Sequence, residues 1–275
     1  MNFMSRAISM CCSRPQRCWA ALWLGVMIGW SGVVHARCSR PINVPLSPVG
    51  IYVTVGEKGT PGGIDMAVMD VIARKTQCRF NFIRVPRIRA WKMFMSGEAD
   101  LMMAAIRSAE RDEAGELVVF SRPIVAAIGL RSQRDVLAPD SQLSGSFPVN
   151  IVRGYEYGEQ YAGLVSVLDN QQRLETVVDP DTAAKKLAAG RAGVILISPL
   201  AMTEAILQYV TEEIFVLPLM SAPDEGFYLS RRSLNAQDRA LLKAAFSDKE
   251  AHRTFAGAFH NRVPAWAAVG VQLVE

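Results

Sequence analysis

Residues 96–123, SGEADLMMAAIRSAERDEAGELVVFSRP, bring a helix end, a buried strand and a cationic turn together in one order. Gly97 suits the left-handed end of a helix. Asp100 precedes the apolar run 101–106, and Ser108, Glu110 and Arg111 follow where that strand must turn. In an open α/β sheet, ligands bind beyond the carboxyl ends of the strands. The stretch reads as one wall of a small-molecule cleft, with Ser108 and Arg111 on it.

Working outward, residues 42–46 form a first strand. Ile64, Ala67, Val68, Val71 and Ile72 then fall at the i, i+3, i+4, i+7 and i+8 positions of one helix face. Residues 79–85 alternate Phe80 and Phe82 with polar neighbours as a second strand, and Pro86 breaks it. Ile88, Trp91, Phe94 and Met95 mark a second helix ending at Gly97. The run 101–106 is apolar on both faces, as expected of a central parallel strand. A similar unit recurs: RVPRIRAWKMFMSGEADLMMAAI (84–106) and VVDPDTAAKKLAAGRAGVILIS (177–198) place strand, proline, helix, glycine and apolar strand alike, with Asp179 and Pro180 opening the second helix.

Two such units predict an α/β fold of two lobes, each a mostly parallel sheet flanked by helices, with a ligand cleft between them. The polar stretch RSQRDVLAPDSQLSGSF (131–147) follows the apolar strand 124–130 and reads as the first crossing, near 130–135. The segment 219–225 reads as the return. The expected lobes are 37–130 with 222–275, and 131–221; the helices at 236–246 and 249–259 pack back on the first. Two crossings make a hinge, since a few residues can absorb the rotation that closes lobes on a ligand.

Residues 1–36 carry Arg6, Arg14 and Arg17 and no acid, then the apolar run 19–34 and Val34-His35-Ala36, the pattern of a cleaved secretory signal peptide. The expected location is periplasmic. The chain has 30 Lys and Arg against 26 Asp and Glu. Without the leader's three arginines the remainder is near neutral, so its charge offers nothing to nucleic acid or an anionic membrane. Cys11, Cys12 and Cys18 lie in the leader, leaving Cys38 and Cys78, each just ahead of a strand. In an oxidising compartment these two suggest a disulfide, worth roughly 3–4 kcal/mol through loop closure; the alternative is two unpaired small apolar side chains. No metal site is expected, since His252 and His260 add no zinc-like spacing.

The segments GIDMAVMDVIA (63–73), SGEADL (96–101), SAER (108–111) with VFSRP (119–123), VRGYEYG (152–158) and AAGRAGV (188–194) give the chain a resemblance. It is similar to extracellular solute-binding proteins of family 3, the type 2 periplasmic binding proteins that include polar-amino-acid receptors of ABC importers. The resemblance implies the type II two-lobe fold and a ligand carboxylate held by the arginine of the S/T-x-x-R turn, here Arg111, with Ser108 beside it. A guanidinium pairs bidentately with a carboxylate in a desolvated cleft; the alternative is a surface pair with Glu110, Asp112 or Glu113. It implies further contacts from Tyr52, from Arg87 or Arg89, from the strand-end residues Ala105 and Ile106, and from Gly154, Tyr155 and Glu156 at what reads as a helix start, a place that favours anions. Two positions depart from the family pattern. Ala104 and Ile106 stand where small polar groups are common, and Ser198 stands where an acid often meets the ligand's amino group; Ser198 reads equally as a helix N-cap. Tyr155 and Tyr157 serve either a ligand or packing.

No nucleophile elbow, HExxH or phosphate loop occurs, so neither a cofactor nor catalysis is expected. The expected function is a monomeric receptor that closes on a small polar, carboxylate-bearing solute and delivers it to the permease of an ABC importer. The alternatives are a ligand sensor or accessory module coupled to a membrane partner, and a dehydratase-type enzyme on the same fold using Arg111 and Glu156.

Overall fold

The computed structural model describes residues 37–56, 59–137, 143 and 145–274; the leader expected at 1–36 lies outside them. Along the chain come β1 (Ile42–Leu46), α1 (Ile64–Thr76), β2 (Phe80–Arg84), α2 (Arg87–Ser96), β3 (Leu101–Ile106), α3 (Ala109–Ala114), β4 (Gly115–Arg122) and β5 (Ile124–Leu130). Then follow β6 (Val149–Val152), α4 (Glu159–Asn170), β7 (Leu174–Val177), α5 (Pro180–Ala188), β8 (Val194–Ile197), α6 (Pro199–Tyr209), β9 (Ile214–Ser221), β10 (Glu225–Ser230), α7 (Ala236–Phe246) and α8 (Lys249–Arg262).

The opening β1-α1-β2 unit forms as its periodicity requires. The two strands are parallel with Ile42 opposite Phe80, and Cys38 and Cys78, just ahead of them, are joined by a disulfide. Gly97 ends α2 in the left-handed region at φ 83°, donating its N–H to Phe94. Asp179 caps α5 by accepting the Thr182 N–H at 2.7 Å, with Pro180 in the first turn. The strand-helix-strand echo is therefore present in both lobes.

The sheets are mixed rather than mostly parallel. In the first lobe β3, β10 and β4 pair antiparallel, extended by Gln272–Leu273. β3 is wholly buried as its composition demands, but its ladder partner is antiparallel. β1 lies along its other edge, where the Asp100 N–H donates to the Asn43 carbonyl at 2.9 Å. The second sheet runs β9-β5-β8-β6-β7, parallel only among β8, β6 and β7.

One boundary needs correction. The strand 124–130, expected in the first lobe, pairs with β9 and β8 and so belongs to the second. The first crossing is thus at Pro123 and not at 130–135. An extended residue with no N–H to satisfy carries the chain between sheets without a polar loop. The return runs through Ala222 to Asp224, within the expected 219–225, and the crossings are bonded to each other by the Ala222 N–H to the Pro123 carbonyl at 2.9 Å. Asp224 adds ion pairs to Arg122 at 2.7 Å and Arg107 at 2.8 Å. The first lobe is closed by α7 and α8 packing on α1. Phe120 sits among Phe227, Phe246 and Phe255, with His252 stacked on it at 4.3 Å.

Candidate functional site

Between the lobes lies a small cavity of about 20 Å³, partly open to solvent. Of the residues expected there, Tyr52, Arg87, Ile106, Arg111, Gly154, Tyr155, Glu156 and Ser198 all line it. Two do not. Ala105 is fully buried against the Trp91, Phe94 and Tyr228 cluster, because neighbours on a strand face opposite sides; Ala104 and Ile106 take the pocket side. Ser108 caps α3, its hydroxyl accepting the Arg111 N–H at 3.3 Å. It therefore orients the helix that carries Arg111 and is no part of the lining.

Arg111 is 6 % exposed. Its Nη1 donates to the Ile106 carbonyl at 2.7 Å, its Cζ lies 3.7 Å from the centroid of the Trp91 ring, and its Nη2 reaches across the cleft to Glu156 Oε2 at 3.4 Å. It does not pair with Glu110, Asp112 or Glu113 on the surface. Burial, with Arg87 nearby, pushes its pKa down to about 10. A charge disfavoured by desolvation in this way gains most from an added anion.

Arg87 donates to the carbonyls of Met103, at 3.1 Å, and Ala104, and stands 5.3 Å from the same indole. Arg87 thus serves as a clamp on the end of β3. There Ala104 holds φ 47°, a rare conformation for a residue with a Cβ, and its N–H donates to Asp65 Oδ2 at 2.8 Å. Burial raises Asp65 well above the usual carboxylate range.

In the second lobe the helix expected to open at Gly154 begins instead at Glu159, after Gly158. Glu156 therefore stands in a loop, with its side chain 67 % exposed, and faces Arg111 without a helix dipole behind it. Gly154 adopts φ 80°, setting its backbone against Ile88 of the first lobe. Tyr157 is buried edge-on to Tyr161 at 5.1 Å. Ser198 occupies the N-cap position of α6, yet its hydroxyl caps nothing. The Trp91 indole N–H and the hydroxyls of Tyr155, Tyr157 and Ser198 are buried without protein partners among the described residues. Such groups cost free energy unless a ligand or water satisfies them.

Trp91 and Glu225 are lining residues that sequence reasoning missed. Trp91 was legible only as part of an apolar helix face. Glu225, at the first position of β10, accepts from the Tyr52 hydroxyl and, at 2.9 Å, from the Ser121 hydroxyl. Desolvation pushes its pKa up to about 7.

No protein-family model matches the chain, and no curated protein does. Solved structures do. A histidine kinase sensor domain with similarity to periplasmic binding proteins aligns over 86 % of this chain and 99 % of its own, at 14 % identity and TM-score 0.61. An amino acid ABC transporter substrate-binding protein from Streptococcus pneumoniae, bound to L-arginine, aligns over 85 % and 95 %, at 14 % identity and TM-score 0.66. The periplasmic VFT2 domain of Bordetella pertussis BvgS aligns over 82 % and 93 %, at 17 % identity and TM-score 0.62. At such identities the likeness carries the architecture alone: this chain has the two-lobe, periplasmic-binding-protein-like α/β fold.

Proposed function

We propose that the protein is a monomeric, extracytoplasmic binding module that closes its lobes on a small carboxylate-bearing solute and, as a receptor, hands it to a membrane importer. The observation that carries this reading is Arg111, a desolvated guanidinium laid on an indole at a cleft between hinged lobes, paired among the described residues only with the exposed Glu156, at 3.4 Å. Its family 3 resemblance and the amino-acid-binding protein among its structural neighbours support the solute class. A sensing role is the second reading, because one neighbour of comparable fold similarity is a histidine kinase sensor domain. Binding without turnover is part of the proposal, as neither His252 nor His260 lines the pocket.

The test is a thermal-shift panel of amino acids, mono- and dicarboxylates, cyclic acids, polyamines and neutral sugars on the parent and on Arg111→Ala. A ligand at a hundred times its Kd adds about 2.7 kcal/mol, or about 5–10 °C for a chain of this size. A carboxylate should shift the parent and not the variant. Shifts only from neutral compounds, equal in both proteins, would sink the reading.

A further inference from the structure

Glu225 lines the pocket at 4 % exposure, and both of its hydrogen bonds, from Tyr52 and Ser121, end on Oε2. Oε1 has no donor among the described residues. Burying the carboxylate costs free energy, and the nearby charges do not cure it. The Arg87 guanidinium acts on Glu225 from a distance, while its hydrogen bonds go to the carbonyls of Met103 and Ala104. Asp65, on α1, is a second buried carboxyl that acts on Glu225 from outside the lining, its Oδ2 taken by the Ala104 N–H. Of the two carboxyls, Glu225 is the one that lines the pocket, with Arg87. Arg111 lines the same pocket, laid on the Trp91 ring and paired with Glu156.

We propose that Glu225 is the specificity-determining residue of this pocket, receiving through Oε1 the α-ammonium of a ligand whose carboxylate is held by Arg111. The inference rests on the carboxylate reading above and extends it. It moves the cation-binding acid from the second lobe, where Ser198 stands, to the hinge strand of the first. The placement has a mechanical consequence, since Ser121 is the last residue but one of the strand before one crossing and Glu225 starts the strand after the other. A ligand cation would thus bind to the carboxylate that ties the two crossings together.

Affinities by titration calorimetry for matched pairs, L-glutamate with glutarate, L-phenylalanine with 3-phenylpropanoate and L-arginine with 5-guanidinopentanoate, compare α-ammonium and des-amino forms. For at least one pair the amino form should bind tenfold or more tighter to the parent, and Glu225→Gln, which keeps the acceptor for Tyr52 and Ser121, should erase that ratio while leaving the des-amino form within about threefold. The parent alone gives a second readout. The groups facing Glu225 are Tyr52 after β1, Asp65 on α1, Arg87 on α2, Ser121 on β4 and Tyr157 after β6. Burial raises the tyrosines and Asp65 as it raises Glu225, so the ratio should fall on acidification as the carboxyls take up protons, and the comparison with Glu225→Gln isolates the share of Glu225. A ratio that survives in the variant and across pH overturns the proposal, as do carboxylates that bind the parent with no amino preference; both leave the carboxylate reading standing. No binding of any member of the panel to the parent overturns both.

Discussion

At the scale of single residues, the floor of the pocket is held in a state that favours protonation. Glu225 has its pKa pushed up to about 7 by desolvation, against an ordinary value of 4.5. The folded protein therefore binds a proton that the unfolded chain has already released between those values. Stability from this group is fully present below pH 4.5 and is lost as pH rises through 7. The loss is about 3 kcal/mol, at about 1.4 kcal/mol for each pH unit of separation. Chemical denaturation of the parent and of Glu225→Gln at pH 5 and pH 8 should show the parent losing roughly that much relative to the variant at the higher pH. A pH-independent difference would mean that Glu225 is charged throughout. Asp65 is raised in part by the charge of Glu225, so some of the difference passes through it. None of this was legible in the sequence. Arg111 could be found because a local turn motif carries it, whereas Glu225 follows an unremarkable crossing, MSAPD, and becomes a buried acid only when the strand it opens pairs between β3 and β4.

At the scale of elements, what could be read was what local periodicity and capping decide. The helix of 64–76, the proline-to-glycine frame of α2 and the Asp179 cap all form where their residues demand. Sheet membership is not local, which is why the strand 124–130 reads correctly as a strand and incorrectly as part of the first lobe. Its seven buried residues fit either sheet, and the choice is made by β9, some ninety residues later in the chain. The Cys38–Cys78 link belongs to the same scale, because it closes the β1-α1-β2 unit over a separation of 40 residues. Its main effect is on the unfolded chain. The double substitution Cys38→Ser with Cys78→Ser should cost about 3–4 kcal/mol, seen as a lower denaturant midpoint with ligand affinity nearly unchanged, since the bond lies outside the pocket lining. Loss of binding at full occupancy of the folded state would show instead that the link shapes the cleft.

At the scale of the whole molecule, the lobes are drawn together by contacts other than a ligand's. The Arg111–Glu156 pair spans the cleft, and the Ile51 N–H donates to the Leu200 carbonyl at 3.2 Å from one lobe to the other. That bond exists because Gly50 leaves room for it. A Cβ at Gly50 would fall 2.1 Å from the Leu200 oxygen, closer than any real contact, and φ is +46°. Gly154 offers the matched comparison. Its φ is +80°, so alanine there carries the same backbone cost of about 1–2 kcal/mol, but the nearest atom to its Cβ, the Ile88 nitrogen, is at an ordinary 3.6 Å. Both alanine variants should therefore lose a similar amount of thermal stability, whereas only Gly50→Ala should hold the lobes apart. Small-angle X-ray scattering should give Gly50→Ala a larger radius of gyration than the parent and no contraction on adding a ligand from the thermal-shift panel. Its affinity should fall by at least about tenfold, because a ligand can draw the lobes together only through its preference for the closed form. Gly154→Ala should scatter like the parent. If the two variants scatter alike and bind alike, the Gly50 approach is not what limits closure, and the lobes must meet the ligand by a movement that leaves residues 50 and 200 in place.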